Sequence, residues 1–189
     1  MWKLALAFLT PLLLAAMVVV WMTSRDSAAV DVGSSSTGVV AAKKNVLVVM
    51  ADDETLEAVR VMSNTKRLLG DQGTTFDNFY VSFPNCCPSR ATFVTGQYAH
   101  NNGVTDNLPP NGGFYKLRSD ETLPVWLQRA GYYTASIGKY LNTWGQRGIE
   151  PPPGWTHWFG LIDPTTYHYY NYSVSNDGNR QDYGSSPAD

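Results

Sequence analysis

Apolar residues fall along the chain in three patterns. The first is a run from Leu4 to Met22, with Lys3 in front and Arg25 behind. As a helix this run is about 28 Å long, close to the thickness of a bilayer core. Residues 1–25 are therefore expected to be a signal peptide or a membrane anchor, and either places the rest of the chain outside the cytoplasm. Residues 26–43 are small and rich in Ser and Gly, without helical or strand period, and predict a flexible linker.

The second pattern is the short run of β-branched or aromatic residues. Residues 45–50, NVLVVM, form a continuous run of the kind buried on both faces of a parallel sheet. Residues 74–82, TTFDNFYVS, and 132–138, YYTASIG, are the second and third expected strands. The third pattern has helical spacing and helical punctuation. It predicts a helix with Ser63 as N-cap running to Asp71 and stopped by Gly73, one starting near Cys86 with Pro88 in its first turn and Gly96 at its stop, and one over 120–130 closed by Gly131. The order of elements argues an α/β sandwich with a largely parallel sheet, occupying residues 44–189.

In such sheets ligands bind beyond the carboxyl ends of the strands. Asp52 and Asp53, Cys86 with Arg90, and Lys139 all lie just past expected strand ends. Two acids at a turn are most often solvated residues or helix caps, whereas two acids with further oxygen donors suit Ca²⁺ or Mg²⁺. A cysteine is most often an inert small hydrophobe, yet near a helix N-terminus and an arginine its thiol would be activated. Lys139 alone would be a surface charge. Their coincidence at one rim is what favours a site.

Composition narrows the functions. Net charge is −2, with no zinc-finger spacing and no run of Lys and Arg, which argues against nucleic acid. The chain has only two cysteines, Cys86 and Cys87, and a disulfide between neighbours would need a strained ring.

Cys86-Cys87-Pro88-Ser89-Arg90, continued by Ala91-Thr92-Phe93-Val94-Thr95-Gly96, resembles the sulfatase signature. Ala51-Asp52-Asp53, the segment from His100 to Val104, and Gly138-Lys139-Tyr140-Leu141-Asn142 extend the resemblance, with further likeness up to about residue 180. They lie nearest the N-acetylglucosamine-6-sulfatase-like and arylsulfatase branch of this alkaline phosphatase-like superfamily. The resemblance implies that Cys86 is oxidised to formylglycine by a dedicated modifying system, and that Cys87 fills a variable position as an apolar contact. It implies Asp52 and Asp53, with the modified residue 86, as ligands of Ca²⁺, Mg²⁺ being the other candidate. Arg90 would orient the modified residue, and Lys139 would bind a sulfate oxygen. The implied substrate is a sulfated small molecule or glycan, in an exported protein that is either secreted or held at the membrane through residues 4–22.

Two departures bear on these expectations. Leu141 stands where many sulfatases carry a histidine, and no role passes to it. The later histidine, the second metal-binding pair, the second lysine and the C-terminal subdomain of the family do not occur in the 189 residues. The sequence thus reads as the N-terminal portion of a sulfatase domain with an incomplete sheet. A catalytically inactive fragment and a phosphate or phosphonate ester hydrolase are the alternatives. The aromatic stretch from Trp155 to Tyr172 is read as core packing in preference to a sugar-stacking wall, and Asn171-Tyr172-Ser173 matches a glycosylation acceptor.

Overall fold

The computed structural model describes residues 43–186. The expected signal or anchor and all of the expected linker except Lys43 lie outside the described residues. Among the described residues no helix is long and apolar enough to cross a membrane. The chain divides after Val48, and the two parts are described separately. In the first part, residues 43–48 form no strand, and Val46 and Leu47 are 79% and 88% exposed.

From Val49 onward, helices precede strands. Helix α1 (Leu56–Val61) starts under a Thr55 cap whose hydroxyl accepts from the Ala58 amide. Helix α2 (Ser63–Thr65) runs directly into a π-helical segment, Lys66–Gly70. Together they fill the expected helix over 63–71, although the N-cap is Met62 and not Ser63. Helix α3 (Cys86–Thr95) is held at its start by Asn85, whose side chain accepts from the Cys86 amide at 3.1 Å. It is closed by Gly96 at φ +66, a left-handed stop that glycine adopts at no steric cost. The short helix α4 (Ala99–Asn102) follows, and helix α5 (Leu123–Arg129), with Thr122 at its N-cap, occupies the later part of the expected helix over 120–130.

The described sheet has four strands in sequence order: β1 (Ala135–Gly138), β2 (His157–Leu161), β3 (Tyr172–Asn176) and β4 (Asn179–Tyr183). β1 and β2 are parallel, with Ala135 opposite His157 and Gly138 opposite Gly160. β2 with β3 and β3 with β4 are antiparallel. The α/β class is borne out, and parallel pairing within the described sheet is confined to β1 and β2. The β3–β4 turn is Asp177-Gly178, both at positive φ, the two-residue geometry whose twist matches that of the flanking strands.

Two expected strands are corrections. Neither 45–50 nor 74–82 is a strand, and Val49, Phe76, Phe79, Tyr80 and Val81 are exposed. A β-branched run supplies side chains suited to a pleat, but a strand exists only when a neighbour takes its backbone hydrogen bonds. No described strand pairs with residues 49–50 or 74–82.

The core lies between helix α3 and the loop that links β1 to β2. Cys87, Ala91 and Val94 recur at the spacing of one helical face and pack with Val104, Leu117, Tyr140, Leu141, Trp144, Trp158 and Ile162. Trp158 is fully buried, 4.6 Å from Trp144 and 5.2 Å from Tyr140 between ring centroids. Trp155 packs on the edge of this cluster, so that part of the aromatic stretch is core, as expected. Tyr167, Tyr169 and Tyr170 are exposed, so the core reading fails for the later part.

Candidate functional site

Helix α3 has one face in the core and an adjacent face at the surface. Cys86 and Arg90 are four residues apart and therefore stand one above the other on that adjacent face. Burying Cys87 and Ala91 fixes the rotation of the helix, and thereby the direction of Cys86 and Arg90. The amide of Cys87 donates to Asn107 Oδ1 at 2.8 Å, a second tie at the helix start from a residue 20 positions away that no motif marks.

Asp52 joins these residues. Its Oδ2 receives Arg90 Nη2 at 2.8 Å and Lys139 Nζ at 2.9 Å, and its Oδ1 receives the Cys86 thiol at 3.4 Å. Arg90 also donates from Nη1 to the Lys139 carbonyl at 2.7 Å, which locks helix α3 to the end of β1. Lys139 follows β1 directly, as the sequence predicts, and Gly138 makes the turn at φ +99. Asp53 sits at φ +55, an uncommon conformation for a residue other than glycine that aspartate tolerates better than most.

All five expected site residues thus lie close together. Asp52, Asp53 and Cys86 each present a ligand atom within 4.8 Å of the others. Asp52 and Asp53 do not follow a strand here; the turn itself brings them to the rim.

The charges set the protonation states. Burial alone would raise the Asp52 carboxyl, but the Lys139 and Cys86 hydrogen bonds and the Lys139 and Arg90 charges outweigh it and hold it below its ordinary value. Burial works against the Lys139 ammonium, yet its bond to Asp52 prevails and raises the group. The Cys86 thiol is raised by burial and by its hydrogen bond to Asp52. That corrects the expectation of an activated thiol: Asp52 favours the protonated form, in which the thiol can donate. Cys87 is wholly buried and pushed up to about 11, chiefly by burial. Both cysteines are free, so the neighbours form no disulfide.

A thiol sulfur is a soft donor and a poor partner for Ca²⁺, whereas two carboxylates with an oxygen-bearing group at position 86 form a hard-donor set. The residues therefore fit a hard divalent cation once residue 86 carries oxygen.

Of the three histidines, His100 stacks on Tyr98, with centroids 5.7 Å apart, and His157 bonds Asp177 at 2.9 Å. His168 caps the short 3₁₀ turn Thr165–Tyr167. That turn brings a residue to the rim that the sequence reading missed: the Tyr167 ring lies beneath Lys139 Nζ, 4.9 Å from its centroid. Inside an aromatic-rich stretch it carried no signal separating it from core tyrosines.

The sulfatase family model matches residues 44–186. The chain belongs to the sulfatase family. Among the relatives of this sulfatase-family chain, an extracellular sulfatase homologue from Caenorhabditis elegans is 37% identical over 150 residues, covering 77% of this chain and 21% of the relative. The human N-acetylglucosamine-6-sulfatase is 36% identical over 153 residues, covering 75% and 27% respectively. A solved structure described as a complex with D-glucosamine-2-N,6-O-disulfate is 36% identical, covers 58% of this chain and 20% of its own, and superposes with a TM-score of 0.47. The chain thus spans about a fifth to a quarter of the length of these sulfatase relatives.

Proposed function

We propose that this chain carries the nucleophile, two supporting cations and the carboxylate pair of a sulfuric ester hydrolase site, with Cys86 converted to formylglycine. The observation that best supports this is the convergence of Cys86, Arg90 and Lys139 on Asp52. When hydrated, formylglycine offers two hydroxyls on one carbon, one to attack the sulfur of a sulfate ester and one to release the sulfate. Asp52, Asp53 and an oxygen at position 86 would hold Ca²⁺, or Mg²⁺ in its place, which supplies charge neutralisation at a sulfate oxygen.

The chain's own residues do the rest. Arg90, tied to both Asp52 and the Lys139 carbonyl, keeps a fixed positive charge beside residue 86 and lowers the cost of an anionic oxygen there. Lys139 stays protonated and presents a cation to the sulfate group. Asp52 holds both cations at once, so that neither is lost to solvent when the ester is absent.

The substrate class is an aryl or sugar sulfate. Relatives named N-acetylglucosamine-6-sulfatase favour a sulfated sugar. Export from the cytoplasm fits the apolar run from Leu4 to Met22 and a relative named as extracellular.

The test is mass spectrometry of the protein from its source, on the tryptic peptide 68–90, together with turnover of an aryl sulfate and a competing aryl phosphate. An aldehyde at residue 86, preference for the sulfate, and loss of multiple turnover in Cys86→Ser are expected. Two intact thiols with no sulfate turnover would sink the proposal in favour of an inactive chain, and preference for the phosphate would move it to the phosphate hydrolases.

A further inference from the structure

Among the described residues the Lys139 ammonium meets the Asp52 carboxylate and one further group, which lies outside the set of five. That group is the aromatic face of Tyr167. Tyr167 rests on a rigid support. The Thr165 hydroxyl donates to the Ile162 carbonyl at 2.7 Å and accepts from the Ser173 amide at 2.9 Å, so the 3₁₀ turn is tied to the core and to β3. The phenol oxygen accepts from Nδ2 of Asn142, a side chain in a residue only 5% exposed, at 2.6 Å.

We propose that Tyr167, oriented by Asn142, is the positioning residue that holds the Lys139 ammonium at the rim while leaving its charge available to an anionic ester. The reason lies in the difference between the two neighbours. A carboxylate holds an ammonium by cancelling its charge, and Asp52 is also committed to Arg90 and to the Asp53–Cys86 set. An aromatic face attracts a cation through its quadrupole and adds no net charge. A lysine is a point charge on a flexible four-carbon stem, and holding it in place before an anion arrives removes an ordering cost from binding. The role rests on reading Lys139 as the sulfate-binding cation.

The test measures the acylation rate of Lys139 in the full chain by peptide mass spectrometry, at one mildly alkaline pH, with exposed Lys66 as internal reference. Tyr167→Leu removes the aromatic face, and the side chain, in a residue 55% exposed, tolerates the change. Lys139 should then react about two- to fivefold faster while Lys66 is unchanged. Tyr167→Phe keeps the face but loses the Asn142 bond, and should leave the Lys139 rate between those of wild type and Tyr167→Leu. Equal Lys139 rates in wild type and Tyr167→Leu, or a Tyr167→Phe rate as fast as that of Tyr167→Leu, would overturn the proposal. Inorganic sulfate is added separately to the wild type. If it fails to slow Lys139, the sulfate-binding reading falls, while the rate ranking still decides the role of Tyr167.

Discussion

At the scale of single residues, Asp52 sets the behaviour of the site, because one carboxylate receives two cations and a thiol. Its depressed pKa makes it a source of stability that is present above the ordinary value of 3.8 and lost as pH falls through the lower folded value. Lys139 is the mirror case. Its raised pKa stabilises the fold below the ordinary 10.5, and that contribution is lost as pH rises through the folded value. Denaturant melts of wild type and Asp52→Asn should therefore differ at neutral pH and converge below about pH 4. Curves that stay parallel into acid would show that the carboxyl titrates normally. Arg90→Ala removes two hydrogen bonds from a side chain that is 12% exposed, one to the Asp52 carboxylate and one to the Lys139 carbonyl. A loss of about 1–3 kcal/mol in thermal or chemical melts is expected.

At the scale of elements, helix α3 converts packing into orientation. Its Cys87–Ala91–Val94 face seats it against Trp158 and the 140–144 loop, and Cys86 and Arg90 then have one direction open to them. This also separates the two thiols by environment. On the folded chain with residue 86 still a cysteine, an alkylating reagent should modify Cys86 before Cys87, as read by peptide mapping, because Cys87 is wholly buried and burial pushes its thiol up to about 11. In β2, a Cβ on Gly160 would lie 2.4 Å from the Trp158 indole. Gly160→Ala should cost about 1–3 kcal/mol by the same melts, since the largest core side chain would have to move. Helix α3 was legible in the sequence because its start and stop are local: an Asn cap, a Pro in the first turn, a closing Gly. The β3–β4 hairpin also carried a local signal, Asp177-Gly178, which the sequence reading did not use. The run 45–50 had the better strand composition, yet it forms no strand, because pairing is not a property of the run.

At the scale of the whole molecule, three described residues offer ligand atoms at the rim, whereas Ca²⁺ takes six to eight oxygens. Calorimetry on the 189-residue chain should therefore show weak Ca²⁺ binding, about millimolar, abolished in Asp53→Asn. Tight stoichiometric binding would mean that the chain provides more donors than these. The sequence by itself determined the five candidate site residues, the helix that carries two of them, the placement of Lys139 directly after a strand, and the family, because each is written in adjacent residues or in a short contiguous motif. Only the tertiary structure decided that Asp52 binds Arg90, Lys139 and Cys86 together, that the thiol is raised instead of activated, that the described sheet is mainly antiparallel, and that Tyr167 leaves the core to stand under Lys139. The contacts at the site span 25 or more residues of chain, where burial, charge and hydrogen bonding act between groups whose separation in sequence says nothing about their distance in space.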